Sequence, residues 1–148
     1  RTAKRKAYVY RLYFARRDDP LKERYAVRVG ETLDFSRMEE AASMLEGEHD
    51  FKAFCASGSS VRTTVRTIYR IGFRRAELFE MRVTGNGFLY NMVRTIAGEL
   101  VAVGAGRLTL SDLKYALETG DRSKVGKTMP AKGLTLESVD YGFQIFSE

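Results

Sequence analysis

Basic and aromatic side chains alternate along two segments of the chain. In the first segment (KRKAYVYRLYF), a period of two places four such side chains on one strand face: Lys4, Lys6, Tyr8 and Tyr10. The second segment carries arginines at every fourth position: Arg62, Arg66, Arg70 and Arg74. Rows of guanidinium groups suit a phosphate backbone, and tyrosine rings offer platforms for unstacked bases. Both segments therefore indicate nucleic-acid binding, although a solvated strand face edged by core tyrosines would show the same pattern.

A single arginine, Arg94, lies within the most apolar segment of helical spacing, residues 88–103 (FLYNMVRTIAGELVAV). A buried guanidinium without a partner costs several kcal/mol, so Arg94 must either extend its tip to water or meet an acid. At about 100° per residue, Glu99 lies on a different side of this helix and cannot be that acid. Two interpretations stay open: a surface arginine, or half of an ion pair whose carboxylate comes from elsewhere.

Cysteine and histidine usage narrows the possible chemistry. Cys55 is the only cysteine and His49 the only histidine, so an internal disulfide and a multi-cysteine metal site are both excluded. We expect Cys55 to be a small half-buried apolar residue and His49 to make hydrogen bonds in a polar turn. We therefore expect no zinc site.

The composition is that of one globular domain. The chain has 148 residues, 30% of them charged, and a net charge of +6. It has no apolar run long enough to span a membrane, and its basic start leads into no apolar signal core, so we expect neither a membrane protein nor a secreted one. It does not begin with Met, which favours a segment of a longer chain.

Hydrophobic periodicity predicts strands and helices in alternation. Period-two patterns predict strands at residues 4–14, 24–29, 61–74, 78–84 and 134–141. Helical spacing predicts three helices: one that Asp34 caps and Gly47 ends, one at 88–103, and one that Thr109 caps and Gly120 ends. In the 61–74 strand the four arginines share one face and the odd-numbered residues the other. Hairpins and separate helices of this kind indicate an α+β fold, with a mainly antiparallel sheet and helices packed on one face.

A longer motif covers the apolar helix. Residues 86–98 (NGFLYNMVRTIAG), followed by Val103 and Gly104, resemble the core motif of the TruA family of tRNA pseudouridine synthases. Further segments match in the same order: 6–10, 47–51 with 53–54, 65–68, and 121–122 leading to 128–134. The family's most diagnostic stretch, Gly-Arg-Thr-Asp-x-Gly-Val-His-Ala, which carries the catalytic aspartate, is absent. Smaller departures from the family pattern occur at Cys55, Met129 and Thr135.

The resemblance implies a cofactor-free isomerase that flips a uridine out of the tRNA anticodon stem-loop. Its fold would be a two-layer α/β sandwich, the ferredoxin-like half of the pseudouridine synthase fold. Tyr8 would lie against the uracil ring, and Arg94 would pair with the catalytic aspartate. Arg66 would hold the flipped nucleotide or its phosphate, and Leu134 and Leu136 would line the floor of the pocket.

The resemblance also implies partners. Residues 1–148 would form the C-terminal subdomain of a catalytic domain, completed by an N-terminal half that carries the aspartate, in a cytoplasmic homodimer that binds tRNA. Lys4, Lys6, Arg62 and Arg70 would contact RNA. Two other hypotheses stay open: an RNA-binding module without chemistry, and a basic protein-interaction domain.

Overall fold

The computed structural model describes residues 2–56 and 61–144, with side chains described for 5–56 and 61–139. Within these ranges there are six strands: β1 (Thr2–Phe14), β2 (Val27–Val29), β3 (Gly47–Asp50), β4 (Val65–Arg75), β5 (Phe79–Gly85) and β6 (Leu134–Gln144). The same part of the chain has three α-helices: α1 (Phe35–Leu45), α2 (Met92–Gly104) and α3 (Leu110–Thr119). Short 3-10 turns occur at Lys22–Arg24, Lys52–Phe54, Arg122–Lys124 and Ala131–Gly133.

The strands form one sheet around β1. Along one side, β1 pairs antiparallel with β5, which continues through β4 to β3. On the other side, β6 runs antiparallel to the first part of β1 and β2 runs parallel to its last three residues. All other pairings are antiparallel, which confirms the predicted α+β class.

The helices cover one face of this sheet. Tyr10, Leu12 and Met81 project from the strands into a single apolar cluster with residues of all three helices, such as Met38 and Leu100. The predicted caps are present as well. The Asp34 carboxylate accepts the backbone N–H that begins α1, a capping box at Thr109 begins α3, and a left-handed glycine ends α3. Among the described residues, no helix is both long enough and apolar enough to cross a membrane.

A β-bulge in β4 contradicts the predicted arginine face. Ile68 pairs with Gly85 and Arg70 pairs with Thr84, so Tyr69 is an extra residue without a partner in the ladder. Residues directly opposite in a sheet share a face, and an extra residue reverses the alternation beyond it. Sequence periodicity assumed an unbroken pleat and could not show this.

The bulge distributes the arginines over two faces. Arg66 lies on the helix-covered face with Ile68, whereas Arg70 and Arg74 lie on the opposite face. Arg62 precedes β4, which begins at Val65 rather than at residue 61 as predicted. The four arginines therefore do not form one row.

Two further elements and the place of His49 also differ from the prediction. The apolar helix begins at Met92 rather than at residue 88, because the preceding residues form a turn in which the Met92 N–H bonds to the Leu89 carbonyl. The second strand covers only Val27–Val29. His49 lies in β3, not in a turn, and its imidazole contacts the Glu46 carbonyl at 2.8 Å. The polar segment 57–60 lies outside the described residues.

The core contains one buried carboxyl group, that of Glu99, among the residues whose side chains are described. Its Oε1 accepts the backbone N–H of Gly126 at 2.7 Å, and its Oε2 has no hydrogen-bond partner there. Burial raises the pKa of Glu99 to about 7, against the opposing effect of the Gly126 N–H. This carboxyl group therefore titrates near neutral pH.

The pKa of Glu99 predicts how stability depends on pH. Between the ordinary value of 4.5 and about 7, the folded chain binds the proton and the unfolded chain releases it, so stability falls as pH rises. Above about pH 7 Glu99 is ionised in both states, and the stability that the bound proton contributed is fully lost. Glu99→Gln removes the titration, and we expect it to raise the free energy of unfolding at pH 8 by up to about 3 kcal/mol, with little change at pH 4.

Urea unfolding across this pH range measures the effect. Glu118→Gln, on the exposed side of α3, is the matched control and should follow the wild-type profile. A Glu99→Gln profile parallel to the wild type would contradict the assignment.

Candidate active site

A pocket of about 390 Å³ opens where the start of α2 meets β1 and β6. We call it the α2 pocket. Tyr8 contributes from β1, Leu134 from β6 and Arg94 from α2, while Phe88 and Tyr90 come from the turn before α2. Three residues that the sequence singled out for substrate or catalysis, Tyr8, Arg94 and Leu134, thus lie in one pocket although they are far apart in the chain.

The ring of Tyr8 is oriented by its neighbours. Tyr8 lies on the helix-covered face of β1, opposite Val83 on one side and Leu136 on the other. Its ring meets that of Phe88 edge to face, with 5.3 Å between centroids. A Cβ on Gly85 would lie 2.7 Å from the Thr67 carbonyl oxygen and 3.1 Å from the Phe88 ring, so only glycine leaves room for this arrangement.

The guanidinium of Arg94 is held by neutral groups. Its Nε donates to the Met129 carbonyl at 2.7 Å, and one terminal nitrogen donates to the Asn91 side-chain oxygen at 2.9 Å. No carboxylate among the described residues forms an ion pair with it. A guanidinium carries five N–H donors, so most of its hydrogen-bonding capacity remains beside the pocket. Arg94 is thus neither a freely extended surface arginine nor an ion-paired one.

Asn91 holds this arrangement through an uncommon backbone conformation. It is the only residue other than glycine with a positive φ in the described part of the chain, at 63°. Asparagine tolerates this left-handed region better than most residues. Its side chain does not cap α2, the usual role at this position, and instead accepts the hydrogen bond from Arg94. Sequence analysis missed Asn91 because the helix was predicted to begin before it.

The segment 125–129 lies directly against α2. A Cβ on Gly98 would overlap the Lys127 carbonyl, and one on Gly126 would lie 2.5 Å from the Gly98 carbonyl oxygen. The hydroxyls of Thr95 and Thr128 are 2.9 Å apart. These contacts bring Met129 alongside α2, where its N–H donates to the Arg94 carbonyl at 3.1 Å. The backbone acceptor for the Arg94 guanidinium is therefore fixed by close packing.

Tyr10 anchors the next turn of the chain. Its buried hydroxyl donates to the Pro130 carbonyl at 2.5 Å, and its ring lies directly under Gly133. Burial raises the pKa of Tyr10 above its usual range, although the nearby charge of Arg94 opposes the shift. Tyr10 thus stays protonated and fixes the turn from which Leu134 enters the pocket.

The remaining sequence-predicted residues do not line the α2 pocket. Arg66 passes beside Gly87, and its guanidinium donates to the Thr63 and Val65 carbonyls. Leu136 is 51% exposed and does not line the pocket. Lys6 shares the face of Tyr8.

Two other basic residues lie farther away. Arg70 faces away from the helices, and Arg62 is exposed ahead of β4. The side chain of Lys4 lies outside the described residues.

Comparison with known proteins identifies the family. A family model described as tRNA pseudouridine synthase matches residues 41–142. The chain belongs to this family. The match includes Arg66, Arg94, Leu134 and Leu136, whereas Tyr8 lies ahead of it. The resemblance drawn from the motifs is thereby confirmed.

Individual relatives agree with the family. The chain is 44% identical to tRNA pseudouridine synthase A of Bacillus velezensis and 43% identical to that of Bacillus subtilis, in each case over 95% of this chain and 57% of the relative. It is 47% identical to tRNA pseudouridine synthase A of Brevibacillus brevis over 83% of this chain and 51% of the relative. The chain therefore spans a little over half the length of these relatives.

The contact between Gly98 and Lys127 predicts the effect of a single methyl group. Gly98→Ala would force the 125–129 segment away from α2, because backbone atoms on both sides cannot yield as a side chain can. We expect a loss of about 1–3 kcal/mol in the free energy of unfolding, despite the higher helix propensity of alanine.

Urea unfolding of both proteins measures this loss. Gly72→Ala in β4 is the matched control, since its Cβ would be no nearer than 3.4 Å to any neighbour. Equal stabilities for Gly98→Ala and the wild type would show that the segment is not fixed by this contact.

Proposed function

We propose that this chain is the C-terminal part of the catalytic domain of a tRNA pseudouridine synthase. It would supply RNA-binding and active-site residues, and a nucleophilic aspartate would come from an N-terminal half. The observation that supports this best is Arg94, whose guanidinium lies in the α2 pocket with two neutral partners and most of its donors unused. A carboxylate that enters the pocket would complete an ion pair there.

The reaction would be an isomerisation of uridine in the tRNA anticodon stem-loop. The bond between C1′ of the ribose and N1 of uracil breaks, the base turns, and a bond forms between C1′ and C5. The proton on C5 is lost and N1 gains one, so no atom is added and no cofactor is required. The protein must therefore supply a nucleophile, a place for the free base, and a proton acceptor.

Arg94 would keep the incoming carboxylate reactive. Burial alone raises the pKa of a carboxyl group, whereas a guanidinium within hydrogen-bonding distance favours the ionised form. An ionised carboxylate is the form that can attack carbon. The planar fork of arginine can also fix the orientation of both carboxylate oxygens.

Tyr8 and Leu134 would enclose the uracil ring. Tyr8 offers an oriented ring for packing and a hydroxyl that could accept the proton from C5. Extrusion of a base from a nucleic-acid stack costs a few kcal/mol, which stacking and phosphate contacts can offset. Arg66, which passes beside Gly87, and Lys6, on the face of Tyr8, would contact the phosphates of a flipped nucleotide. Leu136 would extend the apolar floor.

The other contacts of the complete protein belong to the same proposal. tRNA would be the substrate, and Arg62, Arg70 and Lys4 would contact it at positions away from the pocket. The complete protein would act as a cytoplasmic homodimer.

A chimera tests the proposal. The N-terminal part of the B. subtilis relative, joined to this chain at the matching position, should form pseudouridine in tRNA transcripts, whereas this chain alone should form none. Turnover by the chain alone would refute the division of labour. If the chimera binds RNA but forms no pseudouridine, the alternative of a non-catalytic RNA-binding module is favoured.

Arg94→Lys in the active chimera tests the ion pair. Lysine keeps the charge and loses the fork, so we expect kcat/KM to fall by roughly 10- to 100-fold, with Arg94→Ala lower still. Arg107→Lys is the matched control, because Arg107 is an exposed arginine that pairs with Glu31 outside the α2 pocket. Activity of Arg94→Lys equal to that of the control would count against the pairing.

Salt dependence separates RNA binding from a protein-interaction role. Contacts with phosphates release counterions, so affinity for an anticodon stem-loop RNA should fall steeply between about 50 and 200 mM salt. Fluorescence anisotropy measures this affinity. A weak affinity that hardly changes over this range would favour the protein-interaction domain.

A further inference from the structure

An exposed aromatic ring stands at the mouth of the α2 pocket. Tyr90 is 70% exposed, although it lines the same pocket as Tyr8 and Arg94. Its neighbours Leu89 and Met92 are both buried in the core. Because these two anchors fix the chain on either side, Tyr90 cannot turn inwards without displacing one of them. Its exposure is therefore built into the turn.

The backbone under this ring is held in place. The Ala56 N–H donates to the Tyr90 carbonyl at 3.3 Å, and the Met92 N–H closes the turn on Leu89 at 3.0 Å. The left-handed Asn91 follows directly, and its side chain is fixed by Arg94. Within residues 5–56 and 61–139, no aromatic or cationic group contacts the ring of Tyr90. The turn thus presents an exposed ring on a backbone that is held in place.

We propose that Tyr90 is a stacking subsite for the base next to the flipped uridine. This inference rests on the proposed function and extends it to a second nucleotide. When a base leaves a strand, its neighbour loses a stacking partner, and an aromatic ring at the pocket mouth can replace it. The flipped base would occupy the pocket beside Tyr8, and the strand would cross the rim, where Tyr90 stands.

The charge of the site favours a nucleotide over a polypeptide segment as the occupant. The guanidinium of Arg94 shares the pocket with Tyr90, and the chain carries a net charge of +6. A phosphate-linked base brings negative charge and a flat apolar face together, which matches a ring beside a cation. Stacking of this kind tolerates any base, so the subsite would hold the neighbouring nucleotide without dictating its sequence.

Binding of an anticodon stem-loop RNA to the chimera described above, with each substitution made in this chain, tests the subsite. Tyr90→Ala should weaken the affinity by roughly 5- to 100-fold, whereas Tyr90→Phe, which keeps the ring, should stay within about twofold of the wild type. Tyr25→Ala is the matched control, because Tyr25 is an exposed tyrosine, 46% accessible, outside the α2 pocket. It should bind as the wild type does.

Abasic RNAs locate the contact. Removal of the base on one side of the target uridine should weaken binding of the wild type and have little further effect on Tyr90→Ala. Equal losses for both proteins at either flanking position would overturn the subsite, as would unchanged affinity in Tyr90→Ala. If Tyr90→Ala binds RNA with unchanged affinity but assembles less well with an N-terminal half, the ring makes a protein contact instead. A chimera that neither binds stem-loop RNA nor forms pseudouridine would overturn the proposed function itself.

Discussion

The close approach between Gly98 of α2 and the 125–129 segment positions the Arg94 side of the pocket. Backbone lies against backbone there, because glycines occur on both sides of the contact. The Met129 carbonyl is carried to Arg94 by this packing and takes one of its donors. Without this packing, the guanidinium of Arg94 would extend away from its apolar helix into solvent. One packing contact between a helix and a loop thus decides whether the cation faces the pocket.

The sheet supplies the other half of the pocket. Tyr8, Tyr10 and Leu134 all lie on the helix-covered face around the middle of β1, where β6 begins on one side and β5 ends on the other. Their positions follow from antiparallel register, which fixes side chains more tightly than any loop could. The turn before α2 then adds Phe88, which orients Tyr8 through an edge contact. Residues far apart in sequence are therefore held by two rigid layers.

Local rules predicted most of the fold. The alternation in β1, the caps at Asp34 and Thr109 and the glycine stop at Gly120 each depend on a few adjacent residues, and each was confirmed. To avoid the errors would have required knowledge of distant partners. The β4 bulge depends on which β5 residue lies opposite, and the turn that delays the start of α2 is held from outside by the Ala56 N–H, which donates to the Tyr90 carbonyl.

Prediction of the site residues likewise succeeded where a local motif was enough and failed where the surrounding structure decides. Motif resemblance pointed to Tyr8, Arg94 and Leu134, which do share a pocket, but the pattern alone left the environment of Arg94 undecided. Asn91, Phe88 and Tyr90 were missed because they appeared to be ordinary residues of a continuous helix. Because α2 begins only at Met92, these three residues lie in the turn before it and line the pocket.

The extra residue in β4 makes strand length matter more than side-chain identity. An even pleat that kept Tyr69 would turn Arg70 and Arg74 into the helix-covered layer, whereas deletion of Tyr69 would leave both arginines on the open face, opposite Thr84 and Glu80. Many single replacements along this strand would leave the layers intact, yet the loss of one position beyond Tyr69 would exchange the buried and open faces of the rest of the strand. The strand therefore tolerates a change of side chain there more readily than a change of length.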